Sequence, residues 1–596
     1  MTIRAPEARP FHSWLPWGSA ALGGLTVALL LTLAIAPAAL AQDDMAQNDA
    51  AQNDTMQDDM PAPAAGEDAA APYTIGTLVQ EIPAAPELVI EDGAIRLQLE
   101  DAIAIALARN LDIAVERYDR EQALLGIQAN QGIYDLLTTL DVATSENDSP
   151  TVSQLEGVPV LSREDRDANL TFSQLTPWGG EASFRLTAAR DASNSLDRQI
   201  NPSYFGVGNL SFTQPLLRNF GRLPTARGIY LARTDSQISV ENFEALVAQI
   251  VQQVETAYWN VVESRELFVV AEESMTLARD LDRRNRIQVE VGTLAPIELV
   301  QSEATIAERQ EQIITAEARL RDADDELLRL LNLSQAMAQG LEVVPLTPPE
   351  TEPVAIDVDE AIEIALEERP EVRSQRLALE RLAIDAEYFD NQKLPTLNVR
   401  AGYGAQGLGG TGEIPISETE VLFLNTGLGD AFDTVLDRDF TGWNLGLFFS
   451  YPLQNRAARA QAAIADLELA QGTTQLSEVE LSVITEVRSA ARQVRTAEQQ
   501  IQSAEATSRL QTRNLEAEQK RYENGMSDSF RIAQIQNELV SARSREVTAV
   551  TNYRLALADY FRAIGRLLEQ KGIALAREEG ERPADERRFR LFDWFD

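Results

Sequence analysis

The chain has 596 residues, no cysteine and one histidine, His12. Disulfides, Cys/His metal centres and histidine-dependent triads are therefore excluded for everything that follows His12. A formal net charge of −41 argues against nucleic-acid binding. No carboxylates cluster at catalytic spacing, so we expect no enzyme, no metal site and no cofactor.

The first 41 residues have the features of a secretory signal. Arg4 and Arg9 precede an apolar run that ends in an A-x-A site, which predicts cleavage after Ala41. An uncleaved membrane anchor is the alternative. No cysteine follows the cleavage site, which argues against anchoring by an N-terminal lipid.

Residues 42–90 are predicted to be a disordered linker. Its first part, 42–71, has eight acidic residues, no basic ones and almost no large apolar side chains. Residues 569–596 form a charged C-terminal tail. Between these ends no apolar run reaches 18 residues, so no transmembrane helix is expected. Contact with a membrane would then require strands that close into a barrel, or an interfacial helix.

The rest of the chain is a duplication. Residues 98–139 match 357–398 without a gap, and "LSFTQPLLRN" is similar to "LFFSYPLQNR" further along. A period this long indicates a duplicated half-protein rather than a repeat array. We therefore expect repeat one at 91–345 and repeat two at 346–568, each with the order helix, strands, long helix, break, helix.

Alternating segments rich in Gly, Thr and aromatics predict the strands. Repeat one has four such segments and repeat two has two. Pro215 and Pro452 close the last strand of each set, at the strand-to-helix junctions. Two strands per repeat cannot close a barrel, so we expect three chains to supply twelve strands. The surplus in repeat one leaves open which of its strands line that barrel.

Long helices follow the strands. The first runs from about Thr225 to Glu290, roughly 65 residues or about 100 Å. Apolar positions step by four and three, which predicts coiled-coil packing. These positions are Phe243, Val247, Ile250, Val254, Ala257 and Val261, then Val483, Val487, Ala490, Val494, Ala497 and Ile501.

Each long helix is interrupted near its end. "VGTLAPIELVQ" carries Gly292 and Pro296, and "NGMSDSFRIAQ" carries Gly525 at the matching place. A glycine there suits a left-handed C-terminal residue, and a proline suits the first turn of a following helix. Both interruptions are predicted to be turns of helical hairpins.

Together these features resemble the TolC family of Gram-negative outer-membrane efflux proteins, over about residues 90 to 568. The resemblance implies a mainly α fold with a β part. Three chains would form a twelve-stranded outer-membrane barrel, continued by a periplasmic α-barrel of long coiled-coil hairpins. The implied partners are two further copies, outer-membrane lipid, a periplasmic adaptor and, through it, an inner-membrane transporter.

In such proteins the helix turns form the periplasmic mouth, contact the adaptor and are held shut by polar links. The resemblance places Gly292, Thr293, Pro296 and Gly525 in these turns. Glu298 occupies a position that is often an acidic member of the latch, and Tyr522 matches a tyrosine that can bond to it. Arg531 and Gln534 depart from the family pattern, since some relatives have aspartates there. We therefore hypothesise a Glu298–Arg531 charge pair across neighbouring turns in the closed state.

The resemblance implies an exit duct for efflux or type I secretion. A periplasmic coiled-coil spacer or adaptor without a barrel is the alternative, because its heptads would be similar. Such a protein would not need strands with alternating faces in both halves.

Overall fold

A computed structural model of the protein describes residues 90–91, 93–417 and 420–575. The predicted signal peptide, nearly all of the linker at 42–90 and most of the tail at 569–596 lie outside the described residues.

In both halves of the chain, the described residues form helices, then strands, then two long helices, and the second half has an additional short helix among its strands. The helices are α1 (Leu99–Arg109), α2 (Leu111–Gln131), α3 (Arg222–Glu290), α4 (Ile297–Leu330), α5 (Ser334–Gln339), α6 (Val358–Glu368), α7 (Pro370–Gln392), α8 (Leu428–Asp437), α9 (Arg456–Glu523), α10 (Ser529–Ala563) and α11 (Leu567–Gln570). The strands are β1 (Ile90–Glu91), β2 (Ala94–Leu97), β3 (Leu137–Pro150), β4 (Val160–Leu175), β5 (Glu181–Ser193), β6 (Ile200–Pro215), β7 (Glu342–Pro345), β8 (Thr396–Ser417), β9 (Glu420–Asn425) and β10 (Phe440–Ser450).

Two compact units are present, and each draws on both halves of the sequence. The strand unit contains Gln131–Arg227 and Glu387–Ala462. The helical unit contains the described parts of Ala70–Asn130, Gly228–Ala386 and Ala463–Asp596. Because the units cut across the two repeats, the repeat boundaries at 345/346 stay a prediction.

The strand unit is built on one antiparallel sheet with the order β10-β8-β6-β5-β4-β3. The short strand β9 pairs with the far end of β8. The mainly helical class with a strand part is confirmed, and the sheet has more strands than the four that were expected to contribute to a barrel. All four candidate segments of repeat one are strands of this sheet, so the continuous path has six.

Alternation gives this sheet two different faces. Register places Leu170, Leu186, Leu210 and Tyr403 in neighbouring strands on one face. That face, the apolar face, carries further large side chains that are exposed in the single chain, up to 79% for Trp443. Its exposed members include Leu140, Val142, Phe184, Phe212, Leu445, Leu447 and Phe449.

The opposite face, the polar face, is bound together by side-chain hydrogen bonds between strands. The Thr187 hydroxyl donates to Asn169 Oδ1 at 2.7 Å, and the Ser183 and Ser211 hydroxyls lie 2.6 Å apart. The side chains of this face are polar and can bond to water as well as to each other, so the face suits contact with water.

Helix α8 lies on the apolar face and was not predicted. Its Leu428 is buried against Ala168 and Ala188 of β4 and β5, and its Ala431 is buried over Gly206 and Gly407 of β6 and β8. The close approach requires glycine in the sheet, because a Cβ on Gly407 would lie 1.9 Å from the Ala431 carbonyl oxygen. The helix occupies the connection between β8 and β10, where only strands were expected.

The strand-to-helix junctions differ slightly from expectation. Pro215 is the last residue of β6, and Pro452 follows the end of β10 by two residues. The helices begin later, at Arg222 and Arg456, so neither proline lies in a first helical turn. A turn stabilised by left-handed Asn219 separates β6 from α3.

The coiled-coil seams of the helical unit are confirmed. Every predicted seam residue from Phe243 to Val261 and from Val483 to Ile501 is buried. The first set packs with α1 and α4, and the second packs with α6 and α10. Burial of each Val, Ile or Phe side chain of these seams contributes on the order of 1.5–3 kcal/mol, so the seams stabilise the long helices substantially.

No helix within the described ranges is both long and apolar enough to cross a membrane. Among the same residues, no group of three or more acidic or histidine side chains is arranged to hold a metal ion.

Candidate functional site: the paired helix turns

The first turn joins α3 to α4 and is made as predicted. Gly292 has φ +75°, and its N–H donates to the Val289 carbonyl at 3.0 Å. The Thr293 N–H donates to the Gln288 carbonyl at 2.9 Å, which completes a Schellman motif. Pro296 has helical dihedral angles directly before α4 begins. The glycine ends one helix and the proline starts the next.

The second turn, between α9 and α10, repeats this geometry. Gly525 has φ +71° and its N–H donates to the Tyr522 carbonyl at 2.9 Å. The Met526 N–H donates to the Arg521 carbonyl at 2.9 Å. Asp528 then caps α10, because its Oδ1 accepts from the Arg531 N–H at 2.7 Å.

Tyr522 links the second turn to the first. Its ring is 5% exposed and packs with Leu281 and Ile532. Its hydroxyl donates toward Asn285 Oδ1 at 2.8 Å and Gln288 Oε1 at 3.0 Å. Burial raises the pKa of this phenol, and the nearby Glu298 charge adds to the increase. Tyr522 therefore stays neutral and acts as a donor, although to two amides rather than to the expected carboxylate.

Glu298 also reaches the second turn, but its partner differs from the hypothesis. Its Oε2 accepts a hydrogen bond from the hydroxyl of Ser529, two residues before Arg531. Arg531 is exposed, and its Nη1 donates to Gln534 Oε1 at 3.0 Å. The expected Glu298–Arg531 pair is thus not formed within one chain, and a pair between chains stays a prediction.

Gln534 continues a polar stripe along α10. Its Nε2 donates to Glu538 Oε1 at 3.0 Å, one helical turn onward. Arg531, Gln534 and Glu538 therefore bond along their own helix and do not tie the two turns together.

Further links join the helices just before the turns. Arg284 Nη1 and Glu523 Oε1 are 2.9 Å apart and join α3 to α9. Within the first hairpin, the Ser302 hydroxyl donates to Asp282 Oδ1 at 2.6 Å. Burial alone would raise the pKa of Asp282, but the hydrogen bonds from Ser302 and Arg286 hold that pKa below its ordinary value. Asp282 is therefore ionised and firmly bonded at neutral pH.

Asp282, Asn285 and Glu518 were not predicted, although the heptad pattern contains a signal for them. Extended with the same steps of four and three, the first seam reaches Asp282 and Asn285. The second seam reaches Glu518 and Tyr522. All four are buried. The seams are thus apolar in their middle and polar next to the turns. Polar seam residues specify register at a cost in stability, so helix pairing is expected to be weakest there.

The turns also expose large apolar side chains to solvent. These side chains, here called the apolar rim, are between 56% and 68% exposed. The rim consists of Ile287, Val291, Ile297, Val300, Met526 and Phe530. Such a concentration around two turns is typical of a protein-binding surface.

A wide groove lies elsewhere in the helical unit, between α3, α4, α9 and α10. Its volume is about 1270 Å³. Most of its lining is hydroxyl, amide or charged, including Ser264, Glu308, Gln312, Gln500 and Ser544. A surface of this composition suits contact with water rather than with another hydrophobic core.

The chain is similar in sequence to a known protein family. Residues 183–333 and 361–566, more than half of the chain, match the outer membrane efflux protein family. No curated protein sequence gives a significant match.

Solved structures share the fold at low sequence identity. The outer-membrane channel OprN is 14% identical with a TM-score of 0.57, over 78% of this chain and 89% of that one. The Campylobacter jejuni CmeC outer membrane channel is 16% identical with a TM-score of 0.55, over 87% and 96%. The Vibrio cholerae outer membrane protein VceC is 12% identical with a TM-score of 0.55, over 78% and 96%.

Proposed function

Because the chain belongs to the outer membrane efflux protein family, we propose that three copies form an outer-membrane channel of a Gram-negative cell. In this proposal the channel is the exit duct of a tripartite efflux pump or type I secretion system. An inner-membrane transporter delivers the substrate through a periplasmic adaptor, and the duct passes it without chemistry. The family and its structural neighbours are channels, which fits a passive role.

The main support for this proposal is the sheet, which has one apolar and one polar face. Its apolar face presents residues such as Leu445 and Leu447 to the outside of the single chain. From Leu397 to Ala405 the apolar positions extend over eight residues, about 26 Å along the strand. That length is close to the apolar band of outer-membrane barrels, about 25 Å. Lipid would cover the part of this face that α8 does not occupy, and the polar face would line water.

The groove of the helical unit has a water-compatible lining, which supports a passive duct. Its hydroxyl, amide and charged side chains are of the same kind as those on the polar face of the sheet. A duct that must pass varied substrates needs such a surface, because strong and specific sites would retain them.

The helix turns are the proposed gate. Between the turns, the links are Tyr522 with Asn285 and Gln288, Glu298 with Ser529, and Arg284 with Glu523. Each hydrogen bond between neutral groups contributes only about 0.5–1.5 kcal/mol net, the bond to the Glu298 carboxylate about 1.5–3 kcal/mol, and the exposed ion pair about 1 kcal/mol or less. The links of three copies could be released by the binding energy of a partner protein.

The apolar rim is the proposed docking surface for the adaptor. Ile297→Asp with Phe530→Asp should greatly reduce co-purification of the cognate adaptor while trimers still form. Ile314→Asp, an equally exposed apolar residue of α4 outside the rim, is the matched control. Equal loss in both variants would contradict docking at the rim.

Cell fractionation distinguishes the channel from a periplasmic spacer. The channel should be recovered from the outer membrane as detergent-requiring, heat-modifiable trimers. Release of a monomer by osmotic shock would instead support the spacer.

A further inference from the structure

The sheet contains a hairpin beyond the four strands that the family resemblance implies. In the chain order, β3 follows α2, β6 precedes α3, β8 follows α7 and β10 precedes α9, whereas β4 and β5 are not next to an α-helix. The family match begins at residue 183, within β5, so it includes β6 and most of β5 and leaves out β3 and β4. β4 and β5 lie between β3 and β6 and are not next to the long helices in the chain order, so we take them as the two strands beyond the expected four and call them the inserted hairpin.

The inserted hairpin is a full part of the sheet. β4 pairs with β3 from Val160 to Ser173, and β5 pairs with β6 from Glu181 to Asp191. Aromatic side chains Phe172 and Phe184 stack across the hairpin on the apolar face, with ring centres 6.5 Å apart. Along β4 and β5, positions on the apolar and polar faces alternate in register with those of the neighbouring strands β3 and β6.

The turn of the inserted hairpin is anchored beside the start of α3. The Trp178 carbonyl accepts from the Gly221 N–H at 3.3 Å and from Gln214 Nε2 at 3.1 Å. The Arg222 guanidinium lies over the Trp178 ring, 5.1 Å from its centre. These contacts hold the turn at the end of β6, so the hairpin is not a loose excursion from the sheet.

The outer edges of the sheet complement each other. In the described part of the chain, β3 pairs only with β4 and β10 pairs only with β8. With six antiparallel strands, β10 runs opposite to β3, so a second copy can continue the antiparallel pairing. The apolar face also continues, because Leu140 of β3 and Leu445 of β10 lie on the same face.

We propose that β10 of one chain pairs with β3 of the next and that three copies close a barrel of eighteen strands, not twelve. This inference rests on the proposed trimeric channel. Barrel diameter grows roughly linearly with strand number, so the barrel is about 1.5 times as wide as a twelve-stranded one. The inserted hairpin therefore widens the membrane part while the chain keeps four long helices.

Cysteine cross-linking tests this arrangement directly, because the chain has no cysteine of its own. A thiol cross-linker that is shorter than three strand spacings, about 14 Å, is used throughout. Asn444→Cys in β10, combined with single cysteines at polar-face positions 139–145 of β3, should give covalent dimers and trimers. Asn444→Cys with Thr187→Cys is the matched control and should give none, because β5 lies three strands away on either side.

Two intrachain pairs test whether the inserted hairpin stays in the sheet of the trimer. Thr139→Cys with Thr171→Cys joins β3 to β4, and Thr187→Cys with Val207→Cys joins β5 to β6. Both should cross-link within one chain in the same trimers. Failure of either pair in trimers that do link β3 to β10 would overturn the eighteen-stranded barrel and leave the channel intact.

Electron microscopy of the purified trimer provides an independent count of strands. Eighteen strands support the inference, and twelve overturn it. Removal of residues 160–193 should reduce the barrel to about two thirds of its diameter. A purified monomer would instead contradict the proposed function itself.

Discussion

Asp324 on α4 should make the stability of the helical unit depend on pH. The residue is 2% exposed, and neither carboxylate oxygen has a hydrogen-bond partner within bonding distance. Burial raises its pKa from 3.8 to about 7, while the Val343 backbone and the Arg265 charge oppose the increase. Arg265 compensates little, because its Nη2 already bonds to Glu342 Oε1 and to the Val343 carbonyl, both at 2.7 Å.

The sign of the effect follows from proton binding. Between pH 4 and 7 the folded state holds a proton on Asp324 that the unfolded state has lost. Stability therefore falls as the pH rises through this range, and the loss is complete above pH 7. The change from 3.8 to about 7 corresponds to about 4 kcal/mol, at 1.36 kcal/mol for each pH unit.

Asp324→Asn should remove this dependence, because the amide is neutral at every pH in the range. Denaturant unfolding in detergent, followed by far-UV circular dichroism from pH 4 to 8, measures the difference. The variant should be more stable than the parent by up to about 4 kcal/mol at pH 8 and nearly equal to it at pH 4. The exposed neighbour Asp325→Asn is the control and should follow the parent. A variant that keeps the slope of the parent, or is less stable at pH 8, would refute the reasoning.

Two further substitutions test local packing. Gly407→Val should displace α8 from the sheet and cost on the order of 1–3 kcal/mol, because a side chain there meets the backbone of α8. A side chain at Gly442 of β10 has free space, so Gly442→Val should destabilise the protein little. Equal unfolding midpoints for the two variants would contradict the close packing of α8 on the sheet. Gly292→Ala should destabilise the first turn by about 1–2 kcal/mol through its positive φ, seen as faster amide exchange near the turn. Gly126→Ala inside α2 should stabilise the protein by about 0.5–1 kcal/mol, because glycine is unfavourable in a helix interior. A stability change of the same sign in Gly292→Ala and Gly126→Ala would argue against the left-handed turn.

The sequence predicted what depends on local pattern. Seam residues such as Val254 and Val487 repeat at the coiled-coil period, and all of them are buried. Gly292 and Gly525 stand where a helix needs a left-handed residue, and both have positive φ. Patterns of this kind can be predicted from the sequence, because the residue type at each position is set by the local backbone conformation and burial.

Features that depend on distant residues were not predicted. Glu298 bonds to Ser529 and not to Arg531 because of the way α10 is rotated about its axis relative to α4. The spacing of residues along the sequence does not specify that rotation. Helix α8 was missed because its apolar residues face a glycine-containing patch formed by another part of the chain. The two extra strands were visible as alternating segments, but only their pairing shows that they belong to the same sheet.

Conductance of purified trimers in planar lipid bilayers tests the central claim most directly. Tyr522→Phe removes the hydroxyl shared by Asn285 and Gln288, and leaving those amides unsatisfied costs about 1–3 kcal/mol. The parent should form low-conductance channels, and Tyr522→Phe should raise the conductance while the trimer stays folded. Tyr553→Phe, which removes a hydroxyl that bonds to the Glu352 carbonyl away from the turns, should leave it unchanged. A folded trimer that forms no channel, or equal conductance in all three proteins, would contradict a duct gated at the helix turns.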